Sequence, residues 1–165
     1  MKKIEMLYTE KNITKEEIQK IAGSLKTTFP DSFIEFYLLN NGGVPEVEDS
    51  FVYNDGWAVV TVGSFYAMAI ADTKDQLSLE STYSMFMKQN RFPKHYLPFA
   101  YDEGSNQICL NLNTGEIVII FLDLGPVTEE TIDFLAPNFE TFINELGELD
   151  EDEDDEDDED DEDDE

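Results

Sequence analysis

Apolar residues near the start of the chain recur at the three- and four-residue spacing of an α-helix. The first stripe comprises Ile18, Ile21, Ala22 and Leu25, which would share one helix face. Thr14 and Glu17 precede it as a capping box, in which hydroxyl and carboxylate satisfy backbone N–H groups at the helix start. Because proline disfavours the α conformation for the residue before it, this helix is predicted to end at Phe29–Pro30.

A second helix is predicted over about 30–41, where aromatic residues dominate one face. That face carries Phe33, Phe36, Tyr37 and Asn40, with Ile34 and Leu38 beside it. Gly42 and Gly43 follow, and glycine supplies the left-handed backbone that commonly stops a helix. The chain therefore begins with a pair of helices.

Beyond this pair the apolar pattern approaches the period of two that is typical of β-strands. Residues 51–53 and 57–65, joined by Asn54, Asp55 and Gly56, predict a hairpin. Residues 73–91 return to helical spacing. Three strand signals follow, at 97–101, 107–112 and 116–122, and the run from Ile117 to Leu122 is apolar throughout. A strand of that kind is predicted to be central and covered on both faces.

A last helix is predicted after Gly125 and Pro126, with Pro137 in its first turn. Its buried stripe comprises Phe139, Phe142, Ile143 and Leu146. This order of elements predicts an α+β fold. We expect a mostly antiparallel sheet against which an N-terminal helix pair, a middle helix and a C-terminal helix pack. Residues 1–149 are long enough for a single domain with its own core.

Charge is divided very unevenly along the chain. Sixteen consecutive carboxylates occupy 150–165, and no lysine or arginine occurs after Lys94. A block of like charge repels itself and cannot bury a core, so 150–165 is predicted to be a disordered tail. Of the 39 acidic residues, 23 remain in 1–149 against 10 basic ones, a net charge of −13. Such a protein repels nucleic acids and anionic membranes and attracts basic partners.

Three features of the sequence indicate a cytoplasmic protein. The single cysteine, Cys109, excludes an intramolecular disulfide and fits a reducing compartment. Lys2 and Lys3 could open a signal peptide, but Glu5 and Glu10 interrupt the apolar segment that such a peptide requires. The longest apolar run is also far shorter than the roughly 18 residues of a membrane span.

Catalytic chemistry has little support in the sequence. Cys109 and His95 could in principle form a thiol–imidazole pair. The pattern instead places Cys109 within a strand, opposite the face that carries Ile108 and Leu110, and His95 in an irregular connection. A packed thiol and a surface imidazole are therefore favoured. We predict no catalytic residues.

Metal and nucleotide sites have equally little support in the sequence. One cysteine and one histidine cannot build a zinc site, and Asp102, Glu103 and Gly104 lack the spaced acids of a calcium-binding EF-hand. Gly42 and Gly43 follow a helix, whereas a phosphate-binding glycine loop precedes one. No metal ion or cofactor is predicted.

Three local patterns carry a family resemblance. FPDSFIEFYLLNNGG, at 29–43, is similar to a proline-started aromatic helix that ends in Asn-Gly-Gly. YLPFAYDEGSNQICL, at 96–110, is similar to a strand in which Pro-Phe-Ala leads to an acid, a glycine and an asparagine. NFETFINEL, at 138–146, is similar to a closing Ser-Phe-Glu-Glu-Phe helix, with Asn138 in the serine's place. Together they resemble the SUKH superfamily of bacterial toxin-immunity proteins, whose fungal relatives include a regulator of yeast cell-wall synthesis.

The resemblance implies an α+β binding module without catalytic residues. It favours an immunity protein that binds and neutralises a cognate bacterial toxin, and the acidic composition suits a basic toxin such as a nuclease. A regulatory protein-interaction scaffold, of the kind that the fungal relatives suggest, is the alternative. Neither the identity of the toxin nor the oligomeric state follows from the sequence.

The candidate partner-binding residues form two groups, one in a loop and one at the start of the tail. They are Asp102, Glu103 and Asn106, and then Asp150, Glu151, Asp152 and Glu153. The loop residues fit either a hydrogen-bonded turn or an exposed binding loop. The tail fits either a solubilising polyanion or a segment that steers a basic partner over a Debye length of about 8 Å.

Four large aromatic residues could anchor an interface. They are Tyr53, Trp57, Tyr66 and Tyr101. In a domain this rich in aromatic residues, we expect them in the core.

Overall fold

The computed structural model of the chain describes residues 1–46, 50–53 and 56–148, apart from the side chain of Val52. These residues contain four α-helices: α1 (Lys15–Ser24), α2 (Asp31–Leu39), α3 (Leu79–Lys88) and α4 (Phe139–Glu145). They also contain eight strands: β1 (Met6–Leu7), β2 (Val44–Pro45), β3 (Ser50–Tyr53), β4 (Ala58–Phe65), β5 (Tyr96–Asp102), β6 (Gln107–Asn111), β7 (Ile117–Ile120) and β8 (Ile132–Ala136). The predicted α+β class is confirmed. The predicted tail, including Asp150, Glu151, Asp152 and Glu153, lies outside the described residues.

Strands β3 to β8 form one antiparallel sheet in which every strand pairs with its neighbours in sequence. Strands β1 and β2 form a separate antiparallel pair. All four residues of β7 are buried between β6 and β8. The prediction that this apolar run is covered on both faces is therefore confirmed for Ile117–Ile120, whereas Phe121 and Leu122 lie beyond the strand and are half-buried.

The sheet curls until its two edge strands meet. The hydroxyl of Tyr53 on β3 donates a hydrogen bond to Oδ2 of Asp133 on β8, at 3.2 Å. Burial, followed by the nearby Asp133 carboxylate, raises the pKa of Tyr53 to about 12. The bond therefore closes one side of the fold, between two strands that are separated in the sheet by four others.

Helices α2 and α4 cover the inner face of the sheet with an interlocked set of aromatic rings. The Phe139 centroid lies 5.0 Å from that of Phe33 and 5.4 Å from those of Phe36 and Phe99. Near-perpendicular contacts at such distances are a favourable arrangement of aromatic rings. A smaller second cluster lies under α3 on the outer face and comprises Phe86, Phe92, Cys109, Val118 and Ile120.

The first two helices end earlier than the sequence predicted. Helix α1 ends at Ser24 because Lys26 takes a left-handed conformation, with φ of 58°. Helix α2 ends at Leu39 because Asn40 is extended, with φ of −140°. Gly42 therefore does not stop the helix. Its φ is +74°, and an added Cβ would lie 2.7 Å from Ala67, so glycine is required there by close packing.

The segment before α4 is the largest departure from the prediction. After Gly125 and Pro126 the chain forms a 3-10 turn at Glu129–Thr131 and then β8, before Asn138 caps α4. Pro137 consequently lies outside the helix. The strand was missed because its register shifts beside Ile117 and Val118, so that Leu135 and Ala136 are both buried and apolar alternation is lost.

In the part of the chain that the structure describes, no helix is long and apolar enough to cross a membrane.

Candidate partner-binding surface

One end of the curled sheet gathers three connections. In an antiparallel sheet of consecutive strands, alternate connections lie at the same end, so the β3–β4, β5–β6 and β7–β8 connections are neighbours. They and the strand ends beside them carry six carboxylates, which we call the acidic rim: Asp102, Glu103, Asp123, Glu129, Glu130 and Asp133. Residues 56–62 and 102–133, which build this end, contain no lysine or arginine. All six carboxylates come from the β5–β6 and β7–β8 connections and the strand ends beside them.

The β5–β6 loop is fixed by Asp102 and Asn106. Asp102 Oδ1 accepts the Asn106 backbone N–H at 2.8 Å, and Oδ2 accepts Asn106 Nδ2 at 3.1 Å. Asn106 Oδ1 in turn accepts the Leu122 N–H at 3.2 Å, which ties this loop to the β7–β8 connection. These bonds favour the turn interpretation for Asp102 and Asn106, whereas Glu103 is exposed. Direct contact of these three residues with a partner stays a prediction.

Apolar side chains stand beside the acidic rim. Trp57, the single tryptophan of the chain, is 91% exposed, and Leu124 is 61% exposed. The expectation that Trp57 belongs to the core is wrong, because Trp57 lies in the connection beyond the terminal Tyr53–Ala58 pair of the hairpin. The expectation holds for Tyr53, which is buried, while Tyr66 and Tyr101 are half-buried.

The carboxylates of the acidic rim have no basic side chain within ion-pair distance among the described residues. The ion pairs found there join the Met1 amine to Glu140 and Lys3 to Glu5, both at 3.7 Å. Arg91 lines a shallow cleft with Leu122 and Val127, but its guanidinium carbon lies 5.4 Å from the centroid of the Phe86 ring. The negative charge of the acidic rim is thus available to an external cation.

Four of the six carboxylates were not singled out from the sequence: Asp123, Glu129, Glu130 and Asp133. They lie some twenty or more residues beyond Asp102, and only the strand order brings them to the same end of the sheet. The acidic residues between β7 and β8 could have indicated this part of the acidic rim. The segment that carries them was instead predicted to belong partly to the last helix.

Cys109 and His95 occupy different environments. The thiol is fully buried in the second cluster, and burial raises its pKa well above the usual range. Its Sγ lies 3.8 Å from the Gln107 carbonyl, as a weak donor. His95 is half-buried, and its ring centroid lies 4.3 Å from that of Tyr96. The predicted packed thiol is confirmed, and such a thiol is a poor nucleophile because the thiolate is disfavoured.

Comparison with known proteins identifies a matching family and a distant relative. The sequence model of the SMI1 / KNR4 family (SUKH-1) matches residues 12–145, which include the whole acidic rim. The SPbeta prophage-derived uncharacterized protein YokK of Bacillus subtilis (strain 168) is 24% identical over 149 residues, covering 81% of this chain and 74% of the relative.

Proposed function

Because the chain belongs to the SMI1 / KNR4 family (SUKH-1), we propose that it is a non-catalytic immunity protein. It binds a cognate bacterial toxin through the acidic rim and thereby neutralises it. The toxin presents a basic surface, as a nuclease does where it holds its substrate. Neither nucleic acid nor a membrane is a partner of this acidic chain.

The observation that carries the proposal is the convergence of charge and exposed aromatic surface at one end of the sheet. Glu103, Glu129 and Glu130 are exposed and belong to two different connections. Charges arranged in this way accelerate the encounter with an oppositely charged surface and help to select the partner. Trp57 stands beside them as the kind of residue that supplies most of the energy in protein interfaces.

Rigid positioning supports the same conclusion. The acidic rim is held by the Asp102–Asn106 pair, by the bond from Leu122 to Asn106, and by the Tyr53–Asp133 bond. A pre-organised surface loses less conformational entropy on binding and is therefore suited to tight association. The prophage origin of the relative in Bacillus subtilis fits an immunity role.

The tail adds long-range attraction in this proposal. Asp150, Glu151, Asp152 and Glu153 open a run of sixteen carboxylates that would draw a basic toxin toward the domain. The tail and the exposed carboxylates of the acidic rim would act on the association rate, while the directly contacted surface, Trp57 above all, would set the lifetime of the complex.

Co-expression tests the proposal directly. The proposal predicts a toxin gene next to this one, and the partner to use is the toxin domain of its product, expressed under an inducible promoter in a bacterial host. The parent chain should restore growth, and binding should shift the emission of Trp57 as its ring is covered. A triple variant with Glu103→Gln, Glu129→Gln and Glu130→Gln should bind at least about tenfold more weakly, chiefly through slower association.

A matched variant separates the position of charge from its amount. Glu16→Gln, Glu35→Gln and Glu145→Gln together remove the same charge from exposed positions on α1, α2 and α4. This variant should bind nearly as the parent does. Equal losses in the two variants would show that only net charge matters. Failure of the parent chain to protect or to bind would favour the regulatory scaffold, in which the same fold binds a partner unrelated to toxins.

A further inference from the structure

A cleft of about 330 Å³ lies on the outer face of the sheet, next to the acidic rim. Strand β4, helix α3 and residues 74–77 form its walls, so we call it the α3 cleft. Tyr66, Tyr101, Met85 and Phe86 supply much of its lining, and Thr82 belongs to the lining as well. The α3 cleft therefore combines apolar and polar groups in similar measure.

Thr82 has a feature that the fold itself does not explain. The residue is only 2% exposed, and its Oγ1 has no hydrogen-bond partner among the residues that the structure describes. A threonine hydroxyl within a helix commonly donates to the carbonyl four residues earlier, but here the Ser78 carbonyl accepts only the Thr82 backbone N–H, at 2.9 Å. A buried hydroxyl without a partner costs stability. Its presence is accounted for if a bound group supplies the missing hydrogen bond.

The α3 cleft is joined to the acidic rim by covalent and hydrogen bonds. Tyr101 lines the cleft and directly precedes Asp102, about 3.4 Å further along the strand. The Tyr66 hydroxyl donates to Gln107 Oε1 at 2.7 Å, and Gln107 Nε2 donates to the Ser105 carbonyl at 2.9 Å. These bonds connect one wall of the α3 cleft to the β5–β6 loop. A protein bound to the acidic rim would therefore cover both the loop and the cleft.

The chemistry of the lining limits what can enter. Lys74 and Asp75, at one wall, bring one charge of each sign, so the cleft favours neither an anion nor a cation. Met85 and Phe86 would desolvate any charged group without compensating for it. The occupant that fits is an uncharged side chain with a polar end group, an amide or a phenol, on an apolar stem.

We propose that the α3 cleft is a specificity pocket that receives one such side chain of the toxin, whose polar end group hydrogen-bonds to Thr82. This rests on the immunity function proposed above. Steering by carboxylates would be shared by many basic proteins, whereas a buried hydroxyl discriminates between side chains that do and do not satisfy it.

Substitution of Thr82 tests the proposal through two effects of opposite sign. Thr82→Val keeps the shape of the side chain and removes the hydroxyl. Because the free domain then no longer buries an unpartnered group, its Tm should rise by about 2–4 °C. Affinity for the predicted toxin domain, measured by calorimetry, should fall about fivefold. Thr82→Ser retains the hydroxyl and should bind within about twofold of the parent.

The outcomes distinguish this inference from the function on which it rests. If the parent chain does not bind the toxin domain, the immunity function fails and the pocket fails with it. If the parent binds the toxin domain and Thr82→Val binds it equally well, the immunity function stands and only the specificity pocket is overturned. A lower Tm for Thr82→Val would also overturn it, because the hydroxyl would then have a partner within the fold.

Discussion

The aromatic core and the acidic rim are built on the same strands but differ in their exposure to solvent. In the core, Phe99 of β5 is surrounded by rings from α2 and α4, and every group is shielded from water. At the acidic rim, three residues further along β5, Asp102 shapes a loop whose neighbours face solvent. One strand therefore contributes to stability at its middle and, in the proposed function, to recognition at its end.

This difference separates the consequences of substitution. A core ring contacts several others, so its removal leaves a cavity that the surrounding side chains cannot fill. A side chain of the acidic rim contacts few protein atoms, so its removal should leave the fold intact and be felt only when a partner is present.

The largest effect is expected for Phe139→Ala. Phe139 is 1% exposed and contacts the rings of Phe33, Phe36 and Phe99. Its loss should lower the free energy of unfolding by about 3–5 kcal/mol, measured by chemical denaturation. The matched control is Phe134→Ala on the outer face of β8, where the ring is 52% exposed and the cost should stay below about 1 kcal/mol. Equal costs at the two positions would contradict the division between core and surface.

Trp57→Ala should have the opposite effect to Phe139→Ala, with little change in stability and a large loss of affinity. Trp57 is 91% exposed, so the free energy of unfolding should change by no more than about 0.5 kcal/mol. Affinity for the toxin domain should nevertheless fall by about 2 kcal/mol, or roughly thirtyfold, if Trp57 is a central anchor of the interface. Trp57→Phe should recover part of the affinity. A variant that binds as the parent does would exclude Trp57 from the interface.

Truncation after Glu148 should have a smaller effect, confined to the rate of association. The deletion removes all sixteen carboxylates that follow Leu149 but retains α4 and the Ser50–Gly147 backbone bonds. Because the removed charges repel one another and the acidic domain, Tm at low salt should be unchanged or slightly higher. Stopped-flow measurements of Trp57 fluorescence should show slower association, with dissociation unchanged. A lower Tm would mean that the tail contributes to the folded domain, and unchanged kinetics would leave it only a solubilising role.

The sequence predicted those parts of the fold that local pattern controls. The capping box is present as predicted, with the Glu17 N–H donating to Thr14 Oγ1 at 3.2 Å, and the aromatic face of α2 is buried. The hairpin over 51–65 and the alternation that buries Cys109 opposite Ile108 are also confirmed. In each case the cause lies within a few residues of the chain.

Features that depend on distant residues were not predictable in the same way. Strand β8 owes its form to the register shift beside β7, and the acidic rim exists only because alternate connections share one end of the sheet. The missing hydrogen bond of Thr82 likewise depends on how α3 packs against β5 and is invisible in helical periodicity. Local sequence pattern identifies individual helices and strands, whereas the acidic rim depends on the order in which the strands pair.

The smallest effect is expected for Tyr53→Phe, which removes the bond that joins the two edge strands. At neutral pH the loss should be about 1 kcal/mol or less, because the Asp133 carboxylate is only half-buried and water can replace the phenol. The pH dependence is more diagnostic. Folding raises the pKa of Tyr53 from an ordinary value of 10.0 to about 12. Between these values the unfolded chain has lost a proton that the folded chain retains, so this contribution is full below pH 10 and is lost as pH rises toward 12. Denaturation at pH 8 and at pH 11 should therefore show a steeper decline for the parent than for Tyr53→Phe, since the other buried tyrosines are common to both proteins. Parallel declines would show that Tyr53 keeps an ordinary pKa and that the edges of the sheet are not held together by this hydroxyl.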